Sequence, residues 1–203
     1  SNLLSIINSN KLYKSVFDIA KKYLSLNDDV HGIPHTLRVL KLALAIAKDV
    51  NAHVDLDVLI IAALLHDIGR PLEKSKSNHH AIISAEIAEQ ELRGLGVSKH
   101  KIERIVDAIR SHSFSLKYPA KTTEAKILSD ADKIDAIGAI GIARAFIESA
   151  RRGRNIEGTI EHFNEKLIQL INLLFFEESR KIAKERHMFM LEFLRRLRRE
   201  MEY

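Results

Sequence analysis

The run VLIIAALL, from Val58 to Leu65, is apolar at every position and has no face that could be turned to water. A helix that is hydrophobic all round has to be surrounded by other elements of the fold. The run ends in HDIGRP, where Gly69 can end a helix and Pro71 cannot continue one. The sequence therefore predicts a central, buried helix that carries the dipeptide His66-Asp67 at its carboxyl end.

Helical periodicity continues on both sides of this run, and no segment alternates apolar and polar residues as a strand would. The chain has 8 glycines and 3 prolines among 203 residues, too few for the many turns of a sandwich or barrel. We predict a single all-α bundle over residues 1–203, of about seven to eight helices, with its core at about 28–150 and C-terminal helices at 156–203 packing on it. Besides the central run, the predicted helices are approximately Thr36–Val50, Ala81–Leu92, Ser98–Arg110 with Ser98 as the cap, Glu124–Arg151, Ile156–Leu174 and Glu177–Glu200, and the predicted loops are Pro71–Asn78 and Ser113–Thr122.

The composition is that of a globular protein. Apolar residues make up 46% of the chain, which excludes a disordered chain, and the net charge is +5. Cysteine is absent, so the chain has no disulfide, no zinc–thiolate site and no cysteine nucleophile. No apolar run approaches the roughly 20 residues that cross a membrane. We expect a soluble, cytoplasmic protein without a membrane partner.

The dipeptide His66-Asp67 places an ionisable carboxyl group directly after the apolar run. Burying an ionised carboxylate is costly unless a partner offsets the charge. A divalent cation is one such partner, because adjacent imidazole and carboxylate ligands can both reach it from a helix end. The other interpretation is a buried aspartate that caps a neighbouring helix, next to a core histidine. His35 and Asp132 are further candidate ligands that favour the cation.

Five motifs occur in order along the chain: His35 followed by TLRV, the pair His66-Asp67 in LLHDIG, HHAIISAEIA at residues 79–88, IRSHSFS at residues 109–115, and DADKIDAIGAIGIARAF at residues 130–146. A helical tail follows from HFNEKL at residue 162. Together these motifs resemble the HD-domain metal-dependent phosphohydrolases, from about His31 to the C-terminus. The resemblance is closest to the small stand-alone HD hydrolases, which are similar to nucleotidases and nucleotide pyrophosphohydrolases.

The resemblance implies that four residues bind a divalent metal ion: His35, His66, Asp67 and Asp132. Asp132 is assigned rather than Asp130 because the family's last ligand lies in an A-D-[RK] context, here Ala131-Asp132-Lys133. Two-metal relatives have a histidine pair where this chain has His112-Ser113, so we expect one tightly bound ion. A mixed set of imidazoles and carboxylates suits Mn, Ni, Co, Fe, Zn or Mg and does not select among them.

The resemblance also implies a catalytic set, which is Asp67, His80, His112 and Arg70. The ion would lower the pKa of a bound water and hold a phosphoryl oxygen, and Asp67 could accept the water's proton. A protonated His80 or His112 would offset charge that builds on the phosphate, and Arg70 suits bidentate contact with it. The alternatives are solvated histidines near a loop, and for Arg70 a cation that stabilises a helix C-terminus.

Other charged features have simpler interpretations. His31 either supports the site or contacts the substrate, or has no part in it, because Gly32 and Pro34 interrupt a helix that would align it with His35. The arginine-rich segment at residues 195–199 is interpreted as a solvated helix face rather than a nucleic-acid patch. The histidines interpreted as structural or solvated are His53, His79, His100, His162 and His187.

These observations favour a divalent-metal-dependent phosphohydrolase that cleaves a phosphate ester or anhydride of a nucleotide-like small molecule. One alternative is a metal-dependent HD nuclease acting on single-stranded nucleic acid, for which the basic charge is permissive. Another is a non-enzymatic sensor of nucleotides or metal on the same bundle. The expected partner is a small phosphorylated substrate and not a nucleic acid, and the chain is expected to be a monomer or a homodimer.

Overall fold

The structure is a computed structural model that describes residues 2–202 of the chain. All regular elements of residues 2–202 are helices, and none of these residues forms a strand. The all-α prediction is therefore confirmed. None of the helices described is long and apolar enough to cross a membrane. The residues form two compact units, which meet in sequence between Ala131 and Asp132. The single domain over residues 1–203 stays a prediction.

The first unit contains more helical segments than the sequence analysis identified. Its helices are α1 (Leu3–Ser9), α2 (Lys11–Tyr23), α3 (Ile33–Asp49), α4 (Leu56–Leu65), α5 (Glu73–Lys76), α6 (His80–Gly94), α7 (Lys99–Ser111) and the larger part of α8 (Thr123–Asp135). A 3-10 segment, Arg70–Leu72, lies between α4 and α5. The segments α1 and α2 lie before the predicted core, and α5 is a single turn inside the predicted loop at residues 71–78.

Helix α4 is the centre of the first unit. Every residue from Val58 to Leu65 is buried, and α2, α3, α6 and α7 pack against this helix. The prediction of a buried central helix is therefore confirmed. Its start is fixed by Asp55, whose carboxylate accepts a hydrogen bond from the Val58 N–H at 3.2 Å. Arg104 of α7 donates to the same carboxylate at 2.9 Å.

Four helices of the first unit each have a histidine at or next to one end, and these histidines lie in one region. Pro34 lies in the first turn of α3, where its missing N–H is tolerated. Ser98 caps α7 as predicted, its hydroxyl accepting a backbone N–H at 3.4 Å. The ring of His79 caps α6 by accepting a backbone N–H at 3.1 Å. The histidines at these helix ends are His35 of α3, His66 after α4, His80 of α6 and His112 after α7.

The second unit corrects two predicted helices. It contains the end of α8, then α9 (Gly138–Arg151), α10 (Ile156–Glu165), a 3-10 segment at Leu167–Leu173, and α11 (Glu177–Met201). The continuous helix predicted for residues 124–151 is broken between α8 and α9, where Gly138 has a φ of 77°, which favours glycine. The helix predicted to reach residue 174 ends earlier and continues as the 3-10 segment. Helix α9 packs against α10 and α11.

Gly69 allows the turn after α4 to approach α6 closely. A Cβ atom at this position would lie 2.6 Å from the Ser84 backbone nitrogen and 2.7 Å from the His80 carbonyl oxygen. Both atoms belong to the backbone of α6 and cannot yield easily. The Gly69 N–H also donates to the Ser84 hydroxyl at 2.8 Å, so the contact is part of the local hydrogen bonding.

We expect Gly69→Ala to lower the free energy of unfolding by about 1–3 kcal/mol, because the added methyl group has no space. The matched control is Gly94→Ala, since a Cβ atom there would meet no neighbouring atom within 4 Å in the part of the chain that the structure describes. That change should leave stability unchanged or raise it by up to about 1 kcal/mol. Urea unfolding followed by circular dichroism measures both, and equal stability of the two variants would contradict the close approach.

Candidate metal centre

The carboxylate of Asp67 is the centre of the histidine cluster. Asp67 follows the C-cap residue of α4 and exposes only 2% of its surface. Its two oxygens face different groups. The Oδ2 atom faces His35 and His66, whereas the Oδ1 atom faces His80, His112 and Arg70. The buried aspartate therefore separates two sets of side chains.

On the Oδ2 side, two imidazole nitrogens and one carboxylate oxygen form a compact triangle. The Nε2 atoms of His35 and His66 lie 3.3 Å apart. They lie 3.6 Å and 3.8 Å, respectively, from the Oδ2 atom of Asp67. The Nδ1 atom of His31 lies 3.6 Å from the same oxygen, at the edge of this group.

On the Oδ1 side, a guanidinium group joins two further imidazoles. The Nε atom of Arg70 lies 3.3 Å from the Oδ1 atom of Asp67. The Nε2 atoms of His80 and His112 each lie 3.5 Å from that oxygen. Arg70 exposes 26% of its side chain, whereas both imidazoles are buried. A ligand from solvent can therefore approach this side of Asp67 at Arg70.

The hydrogen bonds of three rings determine which nitrogen carries a lone pair. His66 Nδ1 lies 2.8 Å from the Ala63 carbonyl oxygen, and His112 Nδ1 lies 2.5 Å from the Ile109 carbonyl oxygen. A carbonyl oxygen only accepts, so each of these Nδ1 atoms carries the hydrogen and donates it. In a neutral ring the Nε2 atom is then an acceptor. That of His66 lies 3.3 Å from the Nε2 atom of His35. That of His112 lies 3.5 Å from the Oδ1 atom of Asp67, which is also an acceptor.

His80 shows the same arrangement. Its Nδ1 atom lies 3.3 Å from the Glu73 Oε1 atom, to which it donates. Its Nε2 atom is buried and has no hydrogen-bond partner among the residues described. An acceptor buried in this way is destabilising unless something positive lies beside it. The lone pairs around Asp67 therefore indicate a site for a cation.

The donor set on the Oδ2 side fits a divalent ion. Bonds from such an ion to imidazole and carboxylate ligands are about 2.1 Å long, which places neighbouring ligand atoms about 3.0–3.4 Å apart in octahedral or tetrahedral geometry. The distances of 3.3, 3.6 and 3.8 Å among His35, His66 and Asp67 come close to this range. Ligand atoms of His66, Asp67 and His112 also lie within 4.8 Å of one another, so His112 is within reach of a cation as well.

Burial and charge have opposite effects on Asp67. Burial alone would raise its pKa, but the adjacent Arg70 charge holds the pKa of Asp67 well below its ordinary value. Burial lowers the pKa of His80 from 6.5 to about 2, and the neighbouring Asp67 only partly opposes this shift. At neutral pH the His80 ring is therefore neutral. It does not supply the positive charge that we expected of a protonated His80, and Arg70 supplies one instead.

Most of the predicted site residues lie together around Asp67. These are His35, His66, His80, His112 and Arg70. Asp132 is half-buried in α8 and is the first residue of the second unit, and its assignment as a metal ligand stays a prediction.

Two residues of the cluster were not identified as site residues from the sequence. Glu73 accepts hydrogen bonds from the backbone N–H and the ring of His80, each at 3.3 Å. A residue in a predicted loop gives no indication that its side chain belongs to the site. The one available indication was that Glu73 follows Arg70 by three residues, a spacing that aligns side chains on a helical turn. His31 was left open between a role in the site and none, and the structure places it beside Asp67.

Arginines of the arginine-rich segment of α11 contact side chains of the second unit. Arg195 and Arg196 both donate to the carboxylate of Glu192, at 2.8 Å and 2.7 Å. Arg198 donates to the Asn164 side chain at 2.8 Å. These pairings agree with the interpretation of a solvated helix face.

Residues 32–137 match the model of the HD domain, which is more than half of the chain. The chain belongs to the HD domain family. The protein is therefore a metal-dependent hydrolase, as its sequence led us to expect, and HD domains bind divalent metals. It is also similar to individual proteins.

The HD protein is 34% identical to YpgQ of Bacillus subtilis over 178 residues, which are 84% of each chain. A crystal structure of YpgQ in complex with ADP superimposes with a TM-score of 0.75 at 30% identity, covering 93% of this chain and 97% of that one. An HD superfamily hydrolase from an uncultured Thermotogales bacterium superimposes with a TM-score of 0.73 at 32% identity over the whole of both chains.

A more distant similarity concerns a larger protein. Ribonuclease Y of Mycoplasma mycoides is 32% identical over 105 residues, which are 51% of this chain and 22% of the ribonuclease. The match therefore covers only a part of that enzyme.

The neutral state of His80 predicts a pH dependence of stability. Its pKa is about 2 in the folded protein and 6.5 for an ordinary histidine, so between these values the unfolded chain binds one more proton at this residue. The corresponding stability is present above the unfolded-state pKa and is lost as pH falls. In metal-free protein we expect this residue to contribute a slope of about 1.4 kcal/mol per pH unit at about pH 5.

The variant His80→Gln should therefore lose stability less steeply than the wild type between about pH 7 and pH 5. His100→Gln is the matched control, because His100 is exposed on α7, and should retain the wild-type slope. Urea unfolding in the presence of a chelator measures all three proteins. Parallel profiles for His80→Gln and the wild type would show that His80 is not neutral in the fold.

Proposed function

We propose that this HD protein is a divalent-metal-dependent phosphohydrolase that cleaves a phosphate ester or anhydride of a nucleotide-like small molecule. The observation that carries the proposal is the cluster of buried imidazoles around Asp67, with Arg70 at the partly exposed edge of the same carboxylate. A cation site beside a permanent positive charge suits a substrate with several negative charges. A single ion is proposed to bind tightly on the Oδ2 side.

His35, His66 and Asp67 would hold the ion, and His31 lies beside them. When bound, such an ion lowers the pKa of a water molecule and polarises a phosphoryl oxygen. Because the pKa of Asp67 lies well below its ordinary value, the carboxylate is ionised and available as a ligand of the ion. Acceptance of the water's proton by the same carboxylate stays a prediction.

Arg70, on the Oδ1 side, would contact the substrate phosphate. A guanidinium has five N–H donors, and the contacts of Arg70 with Asp67 and Glu73 use two of its nitrogens. The others can donate to a phosphate, whose negative charge the guanidinium offsets. The buried rings of His80 and His112 line the same side, where their Nε2 lone pairs could accept a hydrogen bond from a water molecule.

The nucleotide as substrate is supported by the ADP complex of YpgQ, since that protein is similar over most of both chains. Neither the base nor the leaving group follows from this similarity. Loss of a terminal phosphate and loss of pyrophosphate are both compatible with the arrangement at Asp67. The similarity to ribonuclease Y keeps a nuclease as the second candidate.

The decisive experiment is a screen for released phosphate and pyrophosphate over nucleoside mono-, di- and triphosphates with Mn, Ni, Co, Fe, Zn and Mg. We expect turnover of a nucleotide that needs an added divalent ion and is abolished by a chelator. Asp67→Asn should reduce turnover by about a thousandfold or more, because it removes a charged ligand. His100→Asn, at an exposed position, is the matched control and should retain activity.

The same screen includes single-stranded RNA and DNA. Cleavage of the polymers without turnover of any nucleotide would replace the proposal with the nuclease. Metal and nucleotide binding without turnover of any phosphate compound would replace it with the non-enzymatic sensor.

From the resemblance, we also propose Asp132 as the fourth ligand. The variant Asp132→Asn should weaken binding of the divalent ion at least about tenfold, because an amide lacks the carboxylate charge. Asp130→Asn tests the neighbouring carboxylate and should retain the wild-type affinity. Equilibrium dialysis with elemental analysis measures the affinity, and thermal unfolding confirms that each variant is folded. If only Asp130→Asn loses the ion, the assignment moves to Asp130.

A further inference from the structure

We infer that Arg70 takes the place of a second cation at the Oδ1 atom of Asp67 and thereby limits the centre to one metal ion. This inference rests on the proposed function, because it concerns the same centre. The new element is that a single side chain, Arg70, determines how many ions the centre can bind.

Three groups converge on the Oδ1 atom. The Nε2 atoms of His80 and His112 each lie 3.5 Å from it, and the Arg70 Nε atom lies 3.3 Å from it. A carboxylate oxygen and two imidazole nitrogens are a donor set that binds divalent ions. The guanidinium of Arg70 brings a positive charge to this oxygen.

The turn after α4 places this guanidinium by its backbone geometry. The Arg70 N–H donates to the Asp67 carbonyl oxygen at 2.9 Å, and Arg70 begins the 3-10 segment. Asp67 and Arg70 are three residues apart, the spacing at which side chains of a 3-10 turn lie above one another. The side chain therefore reaches back to Asp67 without leaving the turn.

Glu73 holds Arg70 from the other side. Its Oε2 atom lies 3.7 Å from Arg70 Nη1, while its Oε1 atom accepts from the ring and the backbone of His80. Glu73 is thus a positioning residue that connects Arg70 with His80. With Arg70 neutralised by substitution, Glu73, His80, His112 and the Oδ1 atom would face one another without a positive group between them.

A divalent ion at this place would meet the guanidinium at close range, and like charges repel strongly where water is excluded. In the wild type the second position is therefore closed to metal ions. Removing the charge while retaining the side-chain length should open it, and the bound ion would then satisfy the His80 lone pair, which has no hydrogen-bond partner within residues 2–202.

The test counts the Mn²⁺ ions bound per chain by equilibrium dialysis and elemental analysis, with electron paramagnetic resonance to detect coupled ion pairs. We expect one ion for the wild type and for Arg70→Lys, which keeps the charge. We expect two ions, with a coupled spectrum, for Arg70→Gln and for Arg70→Met. Arg93→Gln, at an exposed arginine of α6, is the matched control and should bind one ion.

The double variant Arg70→Gln with His112→Ala should return to one ion, which assigns the second ion to the Oδ1 side. A single ion in both Arg70→Gln and Arg70→Met, shown to be folded by circular dichroism, would overturn the inference. Two ions in the wild type would also overturn it. Absence of any bound ion in the wild type is a different result, because it would contradict the proposed function itself.

Discussion

The buried negative charge of Asp67 is the constraint on which the rest of this site depends. A carboxylate that exposes 2% of its surface needs positive partners, since its desolvation is otherwise uncompensated. The neighbouring imidazoles do not supply them in their neutral state, because at least two rings donate their Nδ1 hydrogen to a backbone carbonyl and turn a lone pair inward. The guanidinium of Arg70 compensates one oxygen. The other oxygen lies with His35 and His66 in a donor set that would suit a divalent ion.

The apolar helix α4 is the reason that Asp67 is buried, and its packing also holds the side chains of the site in fixed positions. Its side chains are covered by four neighbouring helices, so its carboxyl end lies inside the unit and not at the surface. Each of α3, α6 and α7 contributes a histidine near one of its ends, where the chain enters or leaves the packed region. Functional groups held by packed helices have little freedom to move, which is what a site for an ion requires.

The sequence allowed prediction of those features that follow from local rules. The buried helix follows from eight apolar residues in succession, and the cap at Ser98 follows from its place before a periodic segment. The break before α9 could not be predicted in this way. Gly138 has a positive φ, but a glycine inside a periodic segment does not by itself predict a break, and helical periodicity continues across this one.

Glu73 shows the same limit within the site. It was part of a predicted loop, and a loop assigns no direction to its side chains. In the structure, Asp67, Arg70 and Glu73 follow one another at intervals of three residues along a tight turn, so carboxylate, guanidinium and carboxylate alternate on one side of it. At the start of α6, the backbone and the ring of His80 donate hydrogen bonds to Glu73. The alternation of charge explains why an arginine suits this turn. Its planar group can contact both carboxylates at once, whereas the single ammonium of a lysine would have to choose between them.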